Sequence, residues 1–397
     1  MKYISKTIWI LSVVSLFTDM ASEMLYPILP IYLKSIGFSI VLIGILEGLA
    51  EAMAGLSKGY FGKLSDNSGK RVPFVQLGYT LSAISKPLMA VLILPVWIFM
   101  LRTVDRLSKG IRTGARDAIL SEEATLLTKG KVFGFHRSMD TLGAVLGPGI
   151  ALLYLYYHPE NYKTLFYLAA IPGVLAIIST LLLKDKRGMK KVKIASTPFF
   201  SFLTYWRSSP GMYRKILVGL LGFALVNSSD VFLLLKAKEM GIEDPMIIGL
   251  YIFYNLIYAL FAFPLGIIAD KIGLRLVYII GLLLFSTVYF GMADTLDLYN
   301  LFILFFLYGI FAAATEGISK AWISNIALSG DTATALGTYS GFQSICALLA
   351  SSWTGLVWYY YGASLAFWIS GISSIIVMFY FIIAVPPNGE NNSAENL

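Results

Sequence analysis

Three pairs of charged residues stand inside stretches that are otherwise apolar enough to lie in lipid. Asp19 and Glu23 are four residues apart, as are Glu47 and Glu51, and Arg102 and Arg106; Asp140 stands alone in a later stretch. A spacing of four puts both members on one helix face. The result is two acidic faces and one basic face. Charge inside a membrane is expensive and by default marks function. Turned toward one another, these faces form a network able to exchange a proton. A carboxylate whose distance from Arg106 changes with conformation holds its proton differently in each. Uptake on one side and release on the other then couples to a solute. Asp19, Glu23, Glu51 and Asp140 are the titrating candidates. The competing reading is a static set of pairs that holds helices together.

The later half is poorer in such charge. It offers Asp230, then Glu316 and Lys320, which at four apart can pair with each other. Polar groups there are Asn227, Ser228 and Ser229 in one stretch, and Tyr251, Tyr254, Asn255 and Tyr258 in another. The pattern suggests a division of labour, with coupling in the first half and substrate contact shared with the second. Tyrosines at helical spacing also serve as packing or interface belts.

The elements that carry these residues follow from composition. Of 397 residues, 57% are hydrophobic and 14% charged, against about 25% charged in a soluble domain. Apolar stretches fall near 8–33, 41–61, 73–93, 95–115, 132–156 and 164–183, then 216–236, 246–265, 276–293, 299–325, 333–356 and 363–384. At about 20 apolar residues per crossing, these are spans one to twelve of an all-α polytopic membrane protein. Span four carries Arg102, Asp105, Arg106, Lys109 and Arg112. Only the span count and the repeat described below put it in the membrane.

Basic residues set the orientation. With the N-terminus inside, the inner side holds Lys2, Lys6, Lys63, Lys70, Arg71, Arg116, Lys129, Lys131, Lys271, Arg275 and the basic stretch 184–215. The outer loops then hold Lys34, Lys163, Lys236 and Lys238. This asymmetry predicts both termini in the cytoplasm, in an inner cell membrane. The start, Lys2 to Phe17, has the look of a signal peptide, but its apolar run continues to Leu33 without a small-residue cleavage site. It is read as span one. Within 184–215, Phe199, Phe200, Phe202 and Trp206 interleave with basic residues. An amphipathic segment on an anionic leaflet and a solvated linker both fit. The expected organisation is an N-terminal six-helix bundle (1–185), a basic cytoplasmic linker (186–213), a C-terminal six-helix bundle (214–385) and a disordered tail (386–397).

The chain repeats itself. Gly62-x3-Asp66-x2-Gly69-x-Arg71 recurs 204 positions later as Gly266-x3-Asp270-x2-Gly273-x-Arg275. Each copy lies between the second and third spans of its half. Gly134 to Asp140 aligns with Gly337 to Gln343, and Gly110-Ile111 with Gly317-Ile318. Several matches in order at nearly one offset indicate duplication. Two parallel six-span halves are a transporter architecture, with a substrate site expected at the midplane between them.

These residues also carry a family resemblance. GKLSDNSGKR and GIIADKIGLR resemble the loop signature of the major facilitator superfamily, present in both halves. Arg106-x2-Lys109-Gly110 resembles a motif of its proton-coupled drug-efflux branch, with Lys109 where a glutamine-like residue is usual. Gly143-x3-Gly147-Pro148 resembles that branch's antiporter motif, without its final doubled glycine. The resemblance implies the major facilitator fold.

Each loop signature has a mechanical role. Its glycines allow a tight turn. Asp66 should face the positive N-terminal end of span eleven, and Asp270 that of span five. Such contacts would latch the inner side shut, with Gly62, Asp66, Gly69, Arg71, Asp270 and Arg275 as gating residues. Arg71 and Arg275 would hold the aspartates or lipid phosphates. Gly143, Gly147 and Pro148 should pack span five closely and bend it.

Other classes are disfavoured. Cys346 alone makes no disulfide or cysteine metal site, and His136 and His158 make no histidine-rich one. There is no Gly-x-Ser-x-Gly, zinc-type or P-loop motif, so neither an enzyme nor a self-contained ATP-driven pump is expected. Nucleic acid is not expected either, because the net charge of +8 clusters in short loops. The resulting expectation is a proton-coupled exporter of a small amphipathic or charged molecule. It would use the proton gradient rather than a cofactor and work as a monomer in the bilayer. The alternatives are an importer or uniporter of a polar solute or organic anion, and a transporter-like receptor.

Overall fold

A computed structural model describes residues 4–26, 28–185, 198–294, 297–328 and 330–386. Among these, every regular element is helical. Residues 186–197 of the expected linker and 387–397 of the expected tail lie outside the described residues. Among the described residues, seven helices are long and apolar enough to cross a membrane: Lys6–Leu25, Lys129–Tyr157, Tyr162–Thr180, Met246–Ile272, Leu274–Ala293, Leu298–Ile326 and Ala363–Ala384. Four more expected spans lie within the helices Ile40–Ser68, Val72–Met89, Pro95–Glu123 and Thr332–Tyr361. Span seven completes the twelve.

Two spans differ from the continuous runs expected. Span one ends at Leu25, and a second helix, Leu29–Ser35, begins with Pro30 in its first turn. Proline lacks the N–H that would carry the first helix onward. Span seven is split into Gly211–Ala224 and Val231–Glu239. The break holds Asn227, Ser228, Ser229 and Asp230, whose side chains compete for backbone hydrogen bonds. Within it Ser229 N–H donates to Ser351 Oγ at 3.1 Å.

The chain forms two compact units. The first comprises Met1–Glu123, Met139–Arg207 and Ser329–Gly341; the second comprises Ala124–Ser138, Ser208–Leu328 and Phe342–Leu397. In the first, Pro95–Glu123 packs against both Ile40–Ser68 and Val72–Met89; in the second, Leu298–Ile326 packs against both Leu274–Ala293 and Asp244–Ile272. The repeat is thus visible in packing: spans four and ten hold the same place.

Span four explains its own charge. Arg102, Asp105, Ser108, Arg112 and Arg116 recur every three or four residues and are all buried, while Val96 and Met100 are exposed. This charged stripe faces protein, whereas Arg106 is half-buried and Lys109 lies off the stripe and is exposed. Arg116, expected among the inner-side loop cations, is buried because this helix runs on to Glu123.

Spans one and five meet closely. A Cβ on Gly143 would strike the Leu16 carbonyl and the Met20 nitrogen, and one on Gly147 the Met20 carbonyl and the Met24 nitrogen. The helix runs through Pro148 without ending. Gly147→Leu should therefore overpack this crossing and cost about 1–3 kcal/mol, read as a lower melting temperature in detergent. An unchanged melting temperature would mean that the crossing is loose.

Candidate functional site

The two loop signatures build matching contacts. In the first unit, Asp66 near the end of Ile40–Ser68 meets the start of Thr332–Tyr361. It accepts hydrogen bonds from Ala333 N–H at 3.3 Å, Thr334 N–H at 2.7 Å and Thr334 Oγ1 at 2.7 Å. In the second unit, Asp270 accepts from Gly130 N–H at 2.7 Å and Lys131 N–H at 2.8 Å, at the start of Lys129–Tyr157. Both aspartates so cap free N–H groups at a positive helix end.

Glycine lets the helices come this close. A Cβ on Gly62 would enter the Ala333 carbonyl, and one on Gly266 the Gly130 carbonyl. Gly62 lies inside its helix, so it serves close approach rather than the turn expected of it. The turn belongs to Gly69, in the left-handed region at φ 62°, where its N–H bonds the Asp66 carbonyl.

The two arginines of the signatures part company. Arg71, 1% exposed, pairs with Asp66 at 3.0 Å and with Glu122 at 2.8 Å. Arg275 instead donates to the carbonyls of Phe381 and Ile382, at 3.1 and 2.8 Å, near the end of Ala363–Ala384. Burial pushes the Asp66 carboxyl up to about 6, against the lowering by Arg71 and by its hydrogen bonds from Thr334 and Ala333.

Deeper in the first unit lies a charged network. Asp105 accepts from Lys86 Nζ at 2.9 Å, Ser82 Oγ at 2.7 Å and Arg102 Nη1 at 3.2 Å. Lys86, Ser82, Arg102 and Asp105 are all buried, and Arg106 adds to the positive field on Asp105. In the same unit Ser15 Oγ donates to Asp140 and receives a bond from Arg116 at 3.4 Å, while Arg116 pairs with Asp117 at 2.8 Å. Arg112 lies over the Tyr79 ring at 4.6 Å.

Of the predicted coupling residues, the structure therefore joins Arg102 and Arg106 to Asp105, and Asp140 to Ser15. Asp19 and Glu23 are half-buried on the face of span one that packs against Gly143 and Gly147. Glu47 and Glu51 fall on Ile40–Ser68, but their side chains lie outside the described residues. Sequence reasoning missed Lys86 and the centrality of Asp105. The available signal was that Lys86 is the one charged residue within Val72–Met89.

The second unit holds the other candidates. Tyr254 OH donates to Asp230 at the break of span seven, with the Tyr251 and Tyr308 rings 5.4 and 5.3 Å from that of Tyr254. Asn227 Oδ1 is buried there with no hydrogen-bond partner among the described residues. Asn255 donates to the Tyr251 carbonyl one turn back, at 3.0 Å. Glu316 pairs at 3.7 Å with Arg137, which lies over the Tyr258 ring and donates to its hydroxyl.

Known proteins resemble this chain in sequence and in fold. The sequence model described as Major Facilitator Superfamily matches residues 11–254 and 236–397. An uncharacterized transporter of that type from Methanocaldococcus jannaschii is 34% identical over 389 residues, 95% of each chain. The quinolone resistance protein NorA of Staphylococcus aureus is 26% identical over 162 residues, 41% of each. Among solved structures, the human organic anion transporter MFSD10 superposes with a TM-score of 0.80 at 16% identity, covering 94% of this chain and 98% of that one.

Proposed function

Because the chain belongs to the major facilitator superfamily of secondary transporters, we propose that it is a proton-coupled exporter of a small amphipathic or charged molecule, working by rocker-switch alternating access. The carrying observation is the concentration of buried charge in one unit: Lys86, Arg102, Asp105, Arg116, Asp117 and Asp140. So much buried charge is costly where a packing role would be served by apolar residues. Asp19, Glu23, Glu47, Glu51 and Asp140 are the proton-handling candidates, with Arg102 and Arg106 as the cations that tune them. Asn227, Asp230, Tyr251, Tyr254, Asn255 and Glu316 offer substrate contacts. Asp66 and Asp270 act as latches that must open once per cycle. The likeness to NorA favours export. No cofactor beyond a proton gradient is required, and the protein works as a monomer with both termini in the cytoplasm.

The second reading is an importer or uniporter of a polar solute or organic anion. It is favoured by Arg112 and Arg116 on span four and by the fold shared with an organic anion transporter. The test is the purified protein in liposomes with a trapped pH dye, screened with candidate solutes. Substrate-evoked proton movement is expected, and it should be lost in Arg106→Ala and in Glu51→Gln. Coupled flux unchanged in both variants would overturn the coupling assignment. Transport without any pH change would favour the uniporter.

A further inference from the structure

The end of the basic linker has two apolar sides. Phe199–Thr204 is a 3-10 helix, followed directly by Tyr205–Ser208. With three residues per turn, side chains three apart align in rows. One row starts at Phe199, 40% exposed at the outer end, and continues through Phe202 and Tyr205, buried at 3% and 4% exposure. The next row, Phe200, Leu203 and Trp206, points away and is exposed at 57%, 40% and 40%.

The buried row is seated on span two. A Cβ on Gly59 would fall within 2.5–2.7 Å of the Phe202 ring, so the ring occupies the space that glycine leaves. Tyr60 meets Phe199 with ring centroids 5.1 Å apart. One turn on, Lys63 Nζ donates to the Ser201 carbonyl at 2.6 Å and to Thr204 Oγ1 at 3.3 Å. Gly59 is also a crossing point with Thr332–Tyr361: a Cβ on Gly337 would lie 3.3 Å from the Gly59 Cα. Gly337 stands one turn beyond the amide of Thr334 that Asp66 holds. Phe202 thus sits against the helix crossing that carries the Asp66 latch.

The exposed row asks for an apolar surrounding, and the charge beside it says which. Residues 184–215 contain nine basic residues and one acidic one, and Arg207 is exposed next to Trp206. Aromatic side chains flanked by cations suit the headgroup level of an anionic leaflet. We propose that Phe199–Arg207 is a docking surface for anionic lipid, and that lipid seated on Phe200, Leu203 and Trp206 presses Phe202 onto Gly59 and strengthens the Asp66 latch. The proposal goes beyond the transport reading and needs no substrate to test.

The experiment places the full-length protein in nanodiscs of phosphatidylcholine, with or without phosphatidylglycerol. Quenching of Trp206 by brominated lipid, taken as the difference between the parent and Trp206→Tyr, should rise with phosphatidylglycerol. Amide exchange at Ala333 and Thr334 should slow several-fold in the same discs. Phe200→Ser combined with Leu203→Ser should abolish both effects. Gly59→Ala, which unseats the ring, should keep the quenching and lose the slowed exchange. Equal quenching in both lipids overturns the lipid assignment, and so does protection that tracks a dimer mass instead of lipid charge. Slowed exchange that survives Gly59→Ala overturns the link to the latch. Because both readouts are independent of flux, a failed transport assay would not be mistaken for a failure here.

Discussion

Asp66→Ala should open the loop-signature side of this transporter, the cytoplasmic side in the orientation proposed above, more than any other single substitution at the loop signatures. The change removes three hydrogen bonds to the start of span eleven and leaves Arg71, 1% exposed, with Glu122 as its remaining ion-pair partner. Bonds to a charged group contribute roughly 1.5–3 kcal/mol each when buried, but water satisfies these groups once the contact opens. A net shift of about 3 kcal/mol, or roughly a hundredfold in population, is the expected scale. Asp270→Ala should shift the balance less. Asp270 accepts two N–H bonds without the hydroxyl bond that Asp66 also takes from Thr334, and Arg275 is engaged with carbonyls of Ala363–Ala384. The measurement is labelling of single cysteines placed toward either side, in a Cys346→Ser background. Equal labelling before and after Asp66→Ala would refute the latch.

The same carboxyl carries a pH dependence whose sign follows from its burial. Buried, Asp66 binds a proton at about 6; released into water, it should return toward about 4. Protonation therefore favours the buried arrangement below about 4, and that advantage is lost as pH rises through about 6. Acidifying the cytoplasmic side across this window should reduce labelling from that side in the parent but not in Asp66→Ala. Asp66→Asn, a neutral side chain of similar shape that cannot titrate, should likewise show no acid response.

The sequence makes legible whatever repeats or alternates along the chain. Apolar runs located the spans, and the doubled signature with the helix dipole put Asp66 and Asp270 opposite specific helix starts. Pairings across helices were hidden. Nothing in sequence tells Asp105 that its partner is Lys86, because that contact depends on how spans three and four are rotated about their axes. The i,i+4 rule favoured Arg102 with Arg106 and passed over Asp105 between them. For Glu316 it pointed only to Lys320 and gave no sign of Arg137, which reaches Glu316 from span five. The break of span seven was written in Asn227 to Asp230, yet a hydropathy window averages four polar residues into an apolar run.

The Asp105 network separates a static pair from a working one. Asp105→Leu leaves Lys86 and Arg102 buried without their shared carboxylate. Breaking a buried pair from one side costs about 3–5 kcal/mol, so a large fall in melting temperature is expected. Removing both charges, as in Lys86→Met with Asp105→Leu, should recover most of that loss, because replacing a whole buried pair by apolar groups is often neutral. The double variant then answers the functional question on a folded protein. If the pair only joins spans three and four, transport and its proton coupling return with stability. If the pair belongs to the coupling path, the double variant is stable and binds solute but moves no protons with it. Asp105→Leu as stable as the parent would show that Asp105 is not balancing Lys86 at all. Full coupled flux in the double variant would confine coupling to Asp19, Glu23, Glu47, Glu51 and Asp140, the carboxylates of spans one, two and five.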